Sequence, residues 1–196
     1  MMTYQEIIDK YYPVGTQCRG IFLQHSRQVA DKALEIAQRC NLNLSLNEVE
    51  AAAMLHDIGI FLTNAPDIDC HGTEHYIRHG ILGAELLRKE GVDEEIARVA
   101  ERHTGAGLTI DDIERQQLPL PRKDYMPETL LEKLICYADK FFSKSGTMQE
   151  KPLDKVRASM ARHSADSLIR FDELHQLFNN DINKDLYQND DEYTRQ

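Results

Sequence analysis

A chain of 196 residues with 41% apolar and 29% charged residues can bury one core without disulfide staples and is too apolar for disorder. Its formal net charge of −10 argues against nonspecific binding to nucleic acid or anionic membrane, since no broad basic field exists to release counterions. The expectation is no nucleic-acid and no membrane partner, while a small anionic substrate stays open because bound cations invert the local sign.

In chain order, residues 3–12 read as a short helix with Ile7, Ile8 and Tyr11 apolar, ended by Pro13 and Gly15. Residues 19–40 form a longer one. Its stripe is Phe22, Val29, Ala33, Ile36 and Cys40, and His25 falls on that inward face. After a turn at 41–47, Ser45-x-x-Glu48 predicts a capping box. The helix it opens carries Val49, Ala52, Ala53 and His56 on one face, with Asp57 next and Gly59 ending the run. Residues 60–73 read as an irregular loop and a lid candidate. A helix over 74–90 follows, with Leu82, Leu86 and Leu87 inside, His79 on the same side and Gly91 at its C-cap. Asp93 caps the next, whose stripe is Ile96, Val99, Ala100 and His103. A short helix at 109–117 leads into Leu118-Pro119-Leu120-Pro121. Thr129-x-x-Glu132 starts another, with Leu131, Ile135, Ala138 and Phe142 inside and Asp139 beside them.

The last pattern runs through Leu153, Val156, Met160, Phe171, Leu174, Phe178, Ile182 and Leu186 and reads as one or two packing helices. No β-alternation appears. The predicted fold is all-α, a compact bundle of about seven helices, with one domain over 1–187 and a polar tail over 188–196.

The cysteines, Cys18, Cys40, Cys70 and Cys136, show no CxxC spacing. No apolar run approaches the ~18 residues of a membrane span. Met1-Met2-Thr3-Tyr4-Gln5-Glu6 lacks the basic and apolar regions of an export signal. The reading is a cytoplasmic chain with free, core-packed thiols.

His25, His56, His79 and His103 each lie on the inward stripe of a different helix, and Asp57 and Asp139 lie on or next to those faces. A single core histidine finds a partner easily. Four, each needing its own, are better explained by one shared cation. Imidazole-rich ligation favours Fe, Mn, Zn, Co or Ni over Mg, which prefers oxygen.

The ordered blocks His25-Ser26-x-x-Val29-Ala30, His56-Asp57-Ile58-Gly59, His79-Gly80-Ile81-x-Gly83-Ala84, Arg102-His103-Thr104-Gly105-Ala106-Gly107 and Tyr137-Ala138-Asp139-Lys140 resemble the HD superfamily of metal-dependent phosphohydrolases. The later blocks are most similar to its small stand-alone HDIG-type members and to its dinucleoside tetraphosphate hydrolases. The resemblance implies an all-helical fold in which His25, His56, Asp57 and Asp139 hold one ion. In two-ion members Asp57 would bridge to a second ion held with His79 and His103, the better expectation here; in one-ion members those two histidines would contact the substrate phosphate instead. The implied substrate is a phosphate monoester or anhydride, a nucleotide or dinucleotide, attacked by metal-activated water, with His56 and Asp57 as catalytic residues. Many nucleotide-acting members carry a lysine shortly after the doublet. Here that position is Ile60, which moves the expected phosphate contact to Lys140 or Arg27. Two alternatives share the ligand set: a non-catalytic nucleotide-binding or signalling module, and a di-iron oxygenase. His71, His75, His163 and His175 read as surface histidines.

Overall fold

The structure, a computed structural model, describes residues 2–179. The expected stripe positions Ile182 and Leu186, the tail 188–196 and its acidic run lie outside the described residues. Nine α-helices are present among the described residues: α1 (Tyr4–Tyr11), α2 (Gln17–Arg39), α3 (Leu46–Leu55), α4 (His79–Lys89), α5 (Glu94–Arg102), α6 (Ile110–Gln116), α7 (Leu130–Asp139), α8 (Leu153–His163) and α9 (Ala165–Asn179). The all-α reading holds, with more and shorter helices than periodicity suggests.

Helix α2 is the spine. Phe22, Val29 and Ala33 are fully buried, and α3 and α7 pack along it. Helices α4 and α5 pack together, and α5 lies against α3 and α7. The last pattern divides at Ser164, where an extended backbone separates α8 from α9. Helix α9 docks on α7 through Phe171, stacked on Tyr137 with centroids 5.6 Å apart, and through buried Phe178. Of the four histidines read as surface residues, His175 is half-buried. It stacks on Phe171, and its Nδ1 shares a 2.8 Å bond with the Tyr137 hydroxyl.

Local chemistry explains most helix starts. Thr3 and Glu6 form a reciprocal capping box on α1, and Thr109 and Asp112 form one on α6. At α7 the Thr129 hydroxyl caps Glu132 N–H, but the Glu132 carboxylate accepts from Glu128 N–H instead of reaching back to Thr129. The box expected at Ser45 does not form: Ser45 is the N-cap, and its hydroxyl makes no capping bond.

The segment expected to be an irregular loop has more order than that. After 3-10 turns over Ile60–Leu62 and Pro66–Ile68, Asn64–Ala65 (β1) pairs antiparallel with Cys70–His71 (β2). This brings buried Cys70 to Cys18 at the start of α2, Sγ to Sγ 3.2 Å. Leu82, expected inside, is half-buried and packs on a small second cluster with Ile81, Leu108 and Tyr125. No helix among the described residues is long and apolar enough to cross a membrane.

Candidate metal centre

The six residues expected to gather do so, and five of them stand at helix ends or in the turn that follows. Only His25 lies mid-helix. His56 is the C-cap of α3, with Asp57 in the turn after it. His79 is the first residue of α4, His103 the C-cap of α5, and Asp139 the last residue of α7. All six are buried.

Helix ends matter because their last carbonyls lack a donor within the helix. His56 Nδ1 donates to Ala53 O at 2.6 Å, and His103 Nδ1 to Ala100 O at 2.8 Å, each three residues back. His79 Nδ1 repeats the pattern on Tyr76 O at 2.7 Å, off a 3-10 turn. Spending the Nδ1 proton on a carbonyl fixes the tautomer and leaves the Nε2 lone pair pointing into the site, as for metal-ligating histidines.

Those lone pairs meet. His25 Nε2 lies 3.3 Å from His56 Nε2, and His79 Nε2 lies 3.0 Å from His103 Nε2. Asp57 stands between the pairs. Its Oδ2 is 3.1 Å from both His25 and His56, and its Oδ1 is 3.4 Å from both His79 and His103. Asp139 Oδ1 completes the first group, 3.0 Å from His25 and 3.5 Å from His56. The donor atoms therefore form two sets sharing one carboxylate: His25, His56, Asp57 and Asp139, and Asp57, His79 and His103.

The chemistry suits transition-metal ions. With bonds of about 2.1 Å, ligand atoms around one ion are separated by roughly 3.0–3.4 Å, the range seen here. Both oxygens of Asp57 are fully enclosed; Oδ2 meets the Lys144 ammonium at 2.6 Å, whereas Oδ1 faces, among the described residues, only the two imidazole nitrogens at 3.4 Å. A buried carboxylate left this way is costly unless a cation receives it.

The electrostatics keep the ligands ready. Burial pushes the Asp57 and Asp139 carboxyls up, but nearby positive charge outweighs it, Lys144 and His56 for Asp57 and Lys140 for Asp139. Both lie well below the usual range. Burial lowers His79 to about 3 and lowers His103, so both are neutral donors. For His56 burial is overcome by Asp57 and Asp139, which raise it to about 9. A proton therefore competes for that nitrogen.

The two expected phosphate contacts part company. Lys140 is buried at the site, its Nζ 2.7 Å from Asp139 Oδ2 and 2.9 Å from His103 O. Arg27 is not in the wall of the cavity beside the ligands; it pairs with Glu50 at 2.7 Å and Asp31 at 3.5 Å. Beside the ligands opens a cavity of about 430 Å³, lined by Ile68, Tyr76, Lys140, Lys144, Lys151 and His163 among others. Sequence periodicity gives no sign of Ile68, Tyr76 or Lys151 as site residues, and His163 reads as a surface residue, which its exposure bears out. From sequence Lys144 is a candidate for an anion pocket with a helix-exterior place as the default, and its Nζ sits 2.6 Å from Asp57 Oδ2. The one available signal was the run of Lys140, Lys144 and Lys151 following Asp139.

Among known proteins, the chain is similar to the tRNA (cytidine(56)-2'-O)-methyltransferases of Picrophilus torridus (35% identity, 90% of this chain, 50% of that protein) and Thermoplasma volcanium (29%, 93% and 48%). It is also similar to an uncharacterized protein of Methanocaldococcus jannaschii (38%, 62% and 66%). The chain spans about half the length of the two methyltransferases. No solved structure matches. The methyltransferase relatives overturn the exclusion of nucleic acid drawn from net charge. Overall charge bounds nonspecific binding alone, and a local cluster such as these lysines escapes it. The family model for the HD domain matches residues 22–143, the span that carries all six converging side chains, and the chain belongs to that family.

Proposed function

We propose that this chain is a metal-dependent phosphohydrolase acting on a phosphate monoester or anhydride of a nucleotide, free or at the end of an RNA. The observation that carries the reading is the shared carboxylate: Asp57 offers one oxygen to each of two imidazole pairs, beside a lysine-lined cavity. His25, His56, Asp57 and Asp139 would hold one ion, and Asp57, His79 and His103 a second. Bound there, such ions supply Lewis acidity toward a phosphoryl oxygen and a nucleophile from water near neutral pH.

The chain's own residues do the rest. Carbonyls of Ala53, Tyr76 and Ala100 orient three imidazoles. The depressed pKa of Asp57 suits a ligand and makes it a weak base, so the role assigned to the His56-Asp57 doublet is to position ions. Lys140 and Lys151 give the cavity positive charge for phosphate. Support for an RNA-borne substrate comes from the relatives named as tRNA-modifying enzymes. Because the chain matches only about half of them, their methyl transfer is not carried over.

The test is elemental analysis of the purified chain, then a screen of nucleotides, phosphomonoesters and phosphorylated RNA ends with the metal found. Turnover abolished by Asp57→Ala supports the proposal. A metal-loaded protein that hydrolyses none of them overturns it in favour of a binding module. Oxygen consumption by an iron-loaded protein points to the oxygenase.

A further inference from the structure

Lys144 stands where its sequence context gives no reason to put it. It lies in the turn after α7, beyond the matched family segment, with its side chain 13% exposed. Its ammonium touches Asp57 Oδ2, the oxygen that also faces His25 and His56 at 3.1 Å. A lysine ammonium there does for the carboxylate what an ion would do: it places positive charge at a fully enclosed carboxylate.

An ion held by His25, His56, Asp57 and Asp139 would bring a second positive charge against that ammonium, and the two repel at close range. The lysine stem is long and flexible. The open space next to it is the cavity whose wall it already forms, with Ser143, Ser145 and Lys151. Lys151 is half-buried and has no carboxylate within ion-pair distance among the described residues. Two carboxylates cannot neutralise two divalent ions and three ammonium groups, so the loaded site calls for a highly charged anion. A phosphate dianion offsets part of that positive charge and fits within a cavity of about 430 Å³.

We propose that Lys144 is a built-in cation that fills an ion's place at Asp57 and, once displaced by that ion, turns into the adjoining cavity and binds a phosphate group of the substrate. The inference rests on the hydrolase reading and identifies what replaces the lysine missing at Ile60. Metal uptake and phosphate binding are then coupled through one side chain.

Amine-reactive labelling of the wild-type chain, read by mass spectrometry, tests it without depending on any variant folding. Lys144 is expected to be protected in the metal-free protein, to become reactive when Mn²⁺ is added, and to be protected again by inorganic phosphate. Calorimetry supplies the second arm. Lys144→Met is expected to bind Mn²⁺ about tenfold more tightly, because no tethered cation competes. The same variant, loaded with Mn²⁺, is expected to bind inorganic phosphate about tenfold more weakly. Lys151→Met is expected to lose phosphate affinity with Mn²⁺ affinity unchanged. Labelling of Lys144 that ignores Mn²⁺, or a Lys144→Met variant whose Mn²⁺ affinity is equal or weaker, overturns the inference. A wild-type chain that takes up none of Fe, Mn, Zn, Co and Ni fails at the earlier step and removes the hydrolase reading itself.

Discussion

Asp57 presents each carboxylate oxygen to a different pair of imidazoles, so single substitutions should separate two sites by stoichiometry. His103→Gln and His79→Gln are each expected to lose one metal equivalent of two, because only the second set is broken. Asp139→Asn is expected to lose the other, and Asp57→Ala both, with helical content by circular dichroism largely kept. Elemental analysis of the four variants reads this directly, and equal losses in all of them would mean a single ion. At this scale much could be read from sequence. His25 three after Phe22 and His56 four after Ala52 are inward by helical period alone. The contact of Lys144 with Asp57 could not be read, because Lys144 lies in a turn where no period applies and its partner is 87 positions upstream.

Helices meet at this site through close backbone approach, and Gly59 is where that approach is tightest. A Cβ there would lie 2.3 Å from His79 O and 2.5 Å from Gly83 N, both backbone atoms of α4 that cannot swing aside. Gly59→Ala is therefore expected to cost about 1–3 kcal/mol in denaturant unfolding and to loosen the second metal set by pushing His79 from Asp57. A second element-scale test is Asp112, a fully buried carboxylate that closes the α6 capping box and accepts from Arg170 Nη2 of α9 at 2.7 Å. Burial pushes its carboxyl up, but the Thr109 bonds and Arg170 hold it below the usual range. A folded-state pKa below the unfolded one gives stability that is present above the unfolded value of about 3.9 and lost as pH falls through the folded value. Asp112→Asn is expected to cost about 1–2 kcal/mol at neutral pH and to flatten the acid limb of unfolding below pH about 4. Caps of this kind were only partly legible. Thr129 is marked by its spacing, Ser45 has the same spacing and makes no bond, and the Glu132 carboxylate goes to the N–H of Glu128, a local donor one position before Thr129.

The ligands come from α2, the α3 end and the turn after it, α4, α5 and α7, so the donor set exists only when five helices are assembled. No segment of the unfolded chain can reproduce it: His25 and Asp139 are 114 positions apart, and even the closest ligands from different elements, Asp57 and His79, are 22 apart. Metal binding is then linked to folding almost entirely through the native state. An ion at a hundred times its dissociation constant adds about 2.7 kcal/mol. For a chain of this size each kcal/mol raises the midpoint by about 2–4 °C. Saturating Mn²⁺ at one site is thus expected to raise the thermal midpoint by roughly 5–11 °C, and a chelator to reverse it. Occupying the second site should raise it further. Because a proton competes at His56, whose pKa is raised to about 9, the metal-dependent increment should grow as pH rises toward that value and shrink as it falls. Thermal scans followed by circular dichroism, with and without Mn²⁺ at pH 6 and pH 8, decide it. An increment that is larger at pH 6, or that persists in Asp57→Ala, would place the stabilising ion somewhere other than between these helices.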